Sequence, residues 1–341
     1  MRINALLIER CTHSVKTALA CIIAFYAGKL INNNNDPWII ITVLVVMCAQ
    51  LYVGSVLLKA YMRFIGTLLG CLFSALVLLI WGNATTAIAL CMGASSLVFS
   101  FVATSKEKFS YAGTLGAVTS AIILIGHGHP DVQYAASRFF EISLGILIAT
   151  LVSQFVLPIH ARKHLKNTQA QTLQELSNFY TTSLLNNRLR AMKYDFDQLD
   201  EQIVKLLSKQ RQLAIDSARE PLGGQFNASL VIQTLYCEKE LLRVIDLMYQ
   251  SSKNLPAEYT QQEKFIHFHQ AVITALGHII AVLKNTPKTF TFQLPRLPLI
   301  ADESKNLDKD SGAFIFGLIR THQLLAKLAD LYALQIHSDQ L

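Results

Sequence analysis

The sequence predicts an all-α protein in two parts. A six-helix transmembrane domain, with a 3+3 inverted repeat as one reading, occupies residues 1–160. A cytoplasmic helical bundle occupies residues 161–341. Three observations carry this division. Of the 341 residues 52% are hydrophobic and only 16% charged, against about 25% in soluble domains. The mean hydropathy of +0.36 lies between that of a soluble enzyme and that of a chain buried in lipid throughout. The charges are also segregated. Through residue 160 the only acids are Glu9, Asp36, Glu107, Asp131 and Glu141, whereas the last 181 residues have an ordinary soluble density of charge.

A helix needs about 20 apolar residues to cross a bilayer core. Six stretches qualify, at about 14–31, 37–57, 63–81, 84–104, 109–126 and 138–158, the last closing at Pro158. The second follows the polar turn "NNNND", and Gln50 and Tyr52 are positioned to end it early, leaving "YVGSVLLKA" as an interfacial piece. The fifth is short and rich in glycine and threonine. Alternate loops differ in charge. One side collects Arg2, Arg10, Lys59, Arg63, Lys106, Lys108, Arg162, Lys163 and Lys166, and the other only Lys29 and Arg138. An excess of Lys and Arg in short loops marks the cytoplasmic face. Both termini are therefore expected inside, in a multi-pass inner-membrane protein. "MRINALLIERCTHSVK" does not read as a signal peptide, because Glu9 interrupts it and its apolar piece is short.

Beyond residue 160 the apolar residues recur with helical period, as in "EQIVKLLSKQRQLAI", "SLVIQTLYCEKELLRVIDLMY", "EKFIHFHQAVITALGHIIAVL" and "AFIFGLIRTHQLLAKLADLYALQ". The breaks "REPLGG" and "NLPAE" and a long proline-containing segment suit a bundle of about five helices.

Chemistry-bearing motifs are scarce. Five of the six cysteines lie in or beside apolar runs without a CxxC, which reads as small buried hydrophobes. His267, His269 and His278 lack the spacing of a ligand set, and "HGHPD" (127–131) reads as a turn rather than a metal site. No phosphate-binding loop or nucleophile elbow is present, so no enzyme activity, metal, cofactor or nucleic-acid partner is expected.

The pair "RFIGTLLG" (63–70) and "RFFEISLG" (138–145) stands out. Both begin Arg-Phe and end Leu-Gly at the same offset, one in the third span and one in the sixth. This pairing suggests that spans one to three and four to six are inverted repeats, a common transporter construction. Gly66, Gly70 and Gly145 are candidates for close helix packing. Lys16, Trp38, Arg63, Arg138 and Glu141 are the candidate residues of a substrate path. Ionisable groups within a membrane are costly, and cations lining a path favour anions. Each has an ordinary alternative. Arg63 suits a lipid headgroup contact, and Glu141 an ion pair with Arg138 at i, i+3.

"PWIIITVLVV", "RFIGTLLGCLFSAL" and "RFFEISLGILIATLVSQFVLP" resemble the fusaric-acid-resistance family of bacterial inner-membrane proteins over about residues 12–165. Its most specific part is the core of Arg63, Gly66, Thr67 and Gly70, although here the second glycine follows the threonine by three residues. That family includes aromatic-acid exporters and is similar to plant aluminium-activated malate channels. The resemblance implies efflux of small, often aromatic, organic anions. Many members have two membrane halves and two soluble parts, so one of each here implies a homodimer. A periplasmic adaptor is a further candidate partner. The alternatives are a dimeric anion channel and a membrane-anchored scaffold whose helical domain binds a partner.

Overall fold

The computed structural model describes residues 2–31, 37–82, 84–105, 107–126, 131–185, 193–222, 226–256, 262–284, 292–298 and 309–332. Every regular element among them is helical, apart from one isolated bridge at Phe292. The chain divides into two compact units. One comprises Met1–Ala161 and Arg219–Gly223, the other Arg162–Ala218 and Gly224–Leu341.

The first unit holds α1 (Arg2–Ile31), α2 (Trp38–Met47), α3 (Val53–Trp81), α4 (Thr85–Ser105), α5 (Glu107–Ile125) and α6 (Val132–Phe155). By length and composition four of them contain stretches able to cross a membrane: Leu7–Ile31, Val53–Trp81, Thr85–Ser105 and Val132–Phe155. Two are shorter apolar helices, Trp38–Met47 and Phe109–Ile125.

The boundaries depart from the sequence reading at the second stretch. The helix stops at Met47 rather than near residue 57, and Tyr52 adopts an extended conformation at the N-cap of α3. "YVGSVLLKA" is no separate interfacial piece, since all of it after Tyr52 begins α3. With ten residues, α2 spans about 15 Å, half of a bilayer core. The extension places Arg63 ten residues inside α3, about 15 Å from its start at 1.5 Å per residue, so it does not stand at a helix mouth. Arg138 likewise lies six residues inside α6.

Helix ends have local causes. Gly82 closes α3 at φ +59°, a conformation that suits glycine, and its N–H reaches Leu78 O. Pro158 disfavours a right-handed helical residue before it, and Leu157 takes φ 45° just after α6 ends.

Within this unit the helix pairs form two matching sets. α1 packs on α2 and α6, and α2 packs on α6. Correspondingly, α4 packs on α5 and α3, and α5 packs on α3, with α3–α6 shared. α2 also meets α3, without an equally extensive counterpart between α5 and α6.

The second unit holds α7 (Ala161–Tyr180, continued by a π-helical turn at Thr181–Leu185), α8 (Lys193–Ser217), α9 (Ala228–Asn254), α10 (Glu263–Leu283) and α11 (Lys309–Leu331). Its core includes Leu173, Phe179, Leu241, Met248, Phe265, Leu276 and Leu318. By composition and length α10 is also apolar enough to cross a membrane, but Phe265, Phe268, Val272, Leu276 and Ile279 of one face are buried in this core.

Two sets of buried polar groups in this unit are hydrogen-bonded to one another. The Tyr180 hydroxyl lies 2.6 Å from His269 Nδ1. Burial pushes His269 down to about 4 and Tyr180 well above the ordinary phenol value. A neutral phenol and a neutral imidazole therefore share this hydrogen bond. Gln210 Nε2 donates to Thr172 Oγ1 at 2.6 Å and to Glu238 Oε2 at 2.7 Å.

The cysteines at these positions are free thiols. Cys71 and Cys237 are buried, but Cys11 and Cys48 are exposed, so the reading of the cysteines as buried hydrophobes holds only for some.

Candidate functional site

Two glycine seats bring the helices of the first unit close. A Cβ added at Gly70 would lie 2.7 Å from Gly116 O and 2.9 Å from Thr119 Cβ of α5. One added at Gly145 would lie 2.7 Å from Ile39 O and 2.7 Å from Thr42 Cβ of α2. In each seat the carbonyl and the threonine are three residues apart, on the second helix of the opposite triplet. At Gly66 a Cβ would run into Ala112 O. All three glycines thus permit backbone contact inside one chain.

The seat at Gly145 carries the polar chemistry. Thr42, pressed against Gly145, also accepts a hydrogen bond from Arg63 Nη2 at 3.2 Å. One turn earlier on α2, the Trp38 ring lies 5.3 Å from the Arg138 guanidinium. A second ring, that of Tyr134, lies 4.7 Å from the same guanidinium. Arg138 Nη1 donates to Glu141 Oε2 at 2.7 Å, with both side chains more than nine-tenths buried. Trp38, Arg138 and Glu141 therefore meet as one cluster, and Arg63 stands next to it along α2.

The two arginines differ in how completely they are partnered. Arg138 has a carboxylate and two rings. Arg63 is 5% exposed, its Nε has no hydrogen-bond partner and, unlike Arg138, it has no carboxylate within ion-pair distance among the described residues. The cause is local. Three residues after Arg138 comes Glu141. Three residues after Arg63 comes Gly66, where contact with the α5 backbone leaves no room for a side chain.

Lys16 does not join this cluster. It lies on α1, fully buried on the face of Ala20 and Ala24, and its ammonium has no hydrogen-bond partner among the described residues. Basic groups do gather where α2 ends. His13 faces Met47 and Cys48, and Lys59 of α3 faces Cys48 and Arg63. Cations are favoured at a helix C-terminus, where the last carbonyls are unsatisfied.

Sequence reasoning passed over Thr42, Tyr111 and Tyr134. Tyr134 shares a helix face with Arg138 at i, i+4 and could have been found by that spacing. Thr42 and Tyr111 come from other helices and have no local signal. Among the described residues no group of three His, Cys, Asp or Glu could hold a metal. Residues 127–130 of "HGHPD" lie outside the described residues.

The fusaric acid resistance protein family matches this chain over residues 10–336. The chain belongs to that family. Several family-like proteins are similar over part of their length. Inner membrane protein YeeA of Escherichia coli is 26% identical over 238 residues, 68% of this chain and 65% of that protein. Multidrug resistance protein MdtO of Escherichia coli is 31% identical over 174 residues, 48% of this chain and 25% of that protein. Aluminum-activated malate transporter 1 of Triticum aestivum is 23% identical over 245 residues, 64% of this chain and 52% of that protein. The chain thus matches less than two thirds of the length of each. In this member of the fusaric acid resistance family, Arg63 on α3 and Arg138 on α6 are buried.

Proposed function

We propose that this chain is an inner-membrane transporter of small organic anions, aromatic acids among them, acting in efflux as a homodimer. The first unit crosses the membrane six times in this reading. Its two triplets form an inverted repeat, and both termini and the second unit lie in the cytoplasm. The observation that carries the proposal is Arg63, a buried guanidinium with an unpartnered Nε in the junction of α2, α3 and α6. Burying an unneutralised charge is costly, and an incoming carboxylate removes that cost at the position where transport needs it. The names of two relatives, a malate transporter and a multidrug resistance protein, accord with this reading.

Glu141, the acid available in α6 for proton coupling, is engaged by Arg138. That favours an uncoupled anion channel as the second reading. Purified protein in liposomes, assayed for benzoate and malate flux with and without an imposed proton gradient, separates the two. A coupled exporter responds to the gradient beyond its electrical component, and a channel does not. Absence of anion flux under either condition rejects both.

Orientation has its own test. In a variant without native cysteines, a cysteine at the exposed Asp131 should react with an impermeant reagent from outside, and one at the exposed Ser105 should not. The opposite pattern inverts the topology.

A further inference from the structure

A second buried donor stands beside Arg63. Tyr111 of α5 turns its hydroxyl towards the guanidinium. The phenol oxygen is placed to accept from that guanidinium, while the hydroxyl is buried and its own hydrogen has no acceptor among the described residues. The ring of the same tyrosine lies 5.3 Å from Lys59 Nζ, one turn before Arg63 on α3. Three helices therefore bring polar groups to one place: Thr42 from α2, Lys59 and Arg63 from α3, and Tyr111 from α5.

Buried polar groups are nearly always hydrogen-bonded, so each exception calls for a physical reason. Here two exceptions, Arg63 Nε and Tyr111 Oη, occur together. A guanidinium has donors and no acceptor, and the phenol has one donor of its own. The phenol oxygen can accept from the guanidinium, but the guanidinium cannot accept the phenol's hydrogen. The missing component is an acceptor. A neutral acceptor would satisfy the hydrogens but leave the buried charge of Arg63. A carboxylate satisfies both, because its two oxygens accept in a plane that the guanidinium fork matches.

We propose that Tyr111 is a specificity residue of the anion path, donating its hydroxyl to a substrate carboxylate that Arg63 binds. This rests on the reading of Arg63 as the anion-facing arginine. The site distinguishes carboxylates from halides by direction. A carboxylate takes the guanidinium and the phenol with separate lone pairs, whereas chloride is spherical and gains mainly from charge. Loss of the phenol oxygen therefore weakens carboxylates and leaves chloride nearly unaffected.

The test uses the full-length chain in liposomes, with benzoate and chloride as probes. In Tyr111→Phe the KM for benzoate should rise on the order of tenfold or more, the size of one lost hydrogen bond to a charged group. Chloride flux should stay within about twofold, on the same scale of effects. Tyr111→His restores a ring N–H donor and should recover part of the benzoate affinity, which a purely structural tyrosine would not predict. If Tyr111→Phe leaves benzoate unchanged, or lowers benzoate and chloride equally, while Arg63→Ala abolishes benzoate flux, the role of Tyr111 is wrong and that of Arg63 stands. If Arg63→Ala also keeps benzoate flux, the anion path itself is misplaced. If the wild type passes neither probe, both fall.

Discussion

Arg63 and Arg138 occupy matching offsets in α3 and α6, and each precedes by seven residues a glycine seated on the opposite triplet. Their surroundings differ in one respect that decides their chemistry. Three residues on, α6 has Glu141 and α3 has Gly66. On α6 the charge is closed locally by a carboxylate 2.7 Å away and by two aromatic rings. On α3 the same offset is taken up by backbone contact with α5. Close helix packing and local neutralisation compete for one position. Where packing wins, the arginine is left to find its counter-charge elsewhere. Under the proposed function, this difference suits binding at Arg63 and a structural ion pair at Arg138.

The largest effects should separate the two arginines. Arg63→Ala should lower anion flux by at least about a hundredfold, since a charge-assisted bidentate contact is lost with its charge. Arg63→Lys should lower it by about tenfold, because the ammonium lacks the planar fork. The folded yield should be kept in both. Arg138→Ala should instead destabilise the protein by about 3–5 kcal/mol, because Glu141 is left buried and uncompensated. The double variant Arg138→Met with Glu141→Leu should restore most of that stability. Flux per folded protein together with thermal unfolding in detergent checks all four. Equal phenotypes for the two alanine variants would break the comparison.

The glycines test whether the two triplets are built alike. Gly70→Ile and Gly145→Ile each drive a branched side chain into a carbonyl and a threonine, and each should cost about 1–3 kcal/mol. Gly93 of α4 has nothing within 4 Å of an added Cβ. Gly93→Ala should be neutral or stabilising by up to about 1 kcal/mol. A large loss at one seat and none at the other would mean that the seats are not equivalent, despite the shared carbonyl-to-threonine spacing.

The second unit supplies a reference for a buried acid without a cation. Burial pushes the Glu238 carboxyl up to about 8, against a reference of 4.5, and Gln210 donates to it. Between these values the folded protein holds the proton and the unfolded chain does not. The stability this group contributes is complete below 4.5 and is lost as pH rises through about 8. Melting temperature should fall over this interval, with a slope of at most about 1.4 kcal/mol per pH unit. Glu238→Gln should flatten it. An unchanged slope in Glu238→Gln would place the titrating group elsewhere. Among buried carboxyls, Glu141 is closed by a cation and Glu238 by an amide.

The helical class, the division into an apolar and a charged part, and the equal seven-residue spacing from Arg63 to Gly70 and from Arg138 to Gly145 were all legible in the sequence. Each depends on composition or on spacing along one segment, and helical periodicity turns such spacing directly into a face. The pairing of Arg138 with Glu141 was legible for the same reason, since i, i+3 residues are neighbours on any helix. Other features came only from tertiary packing. The end of α2 at Met47 depends on how the turn before α3 is accommodated, so hydropathy alone ran the second stretch on by ten residues. Thr42 and Tyr111 reach Arg63 from separate helices, at sequence distances of 21 and 48, where no local pattern connects them. The incomplete partnering of Arg63 was equally out of reach. It arises because the α5 backbone occupies the place beside Gly66, and only the crossing of two helices determines which atoms share that space.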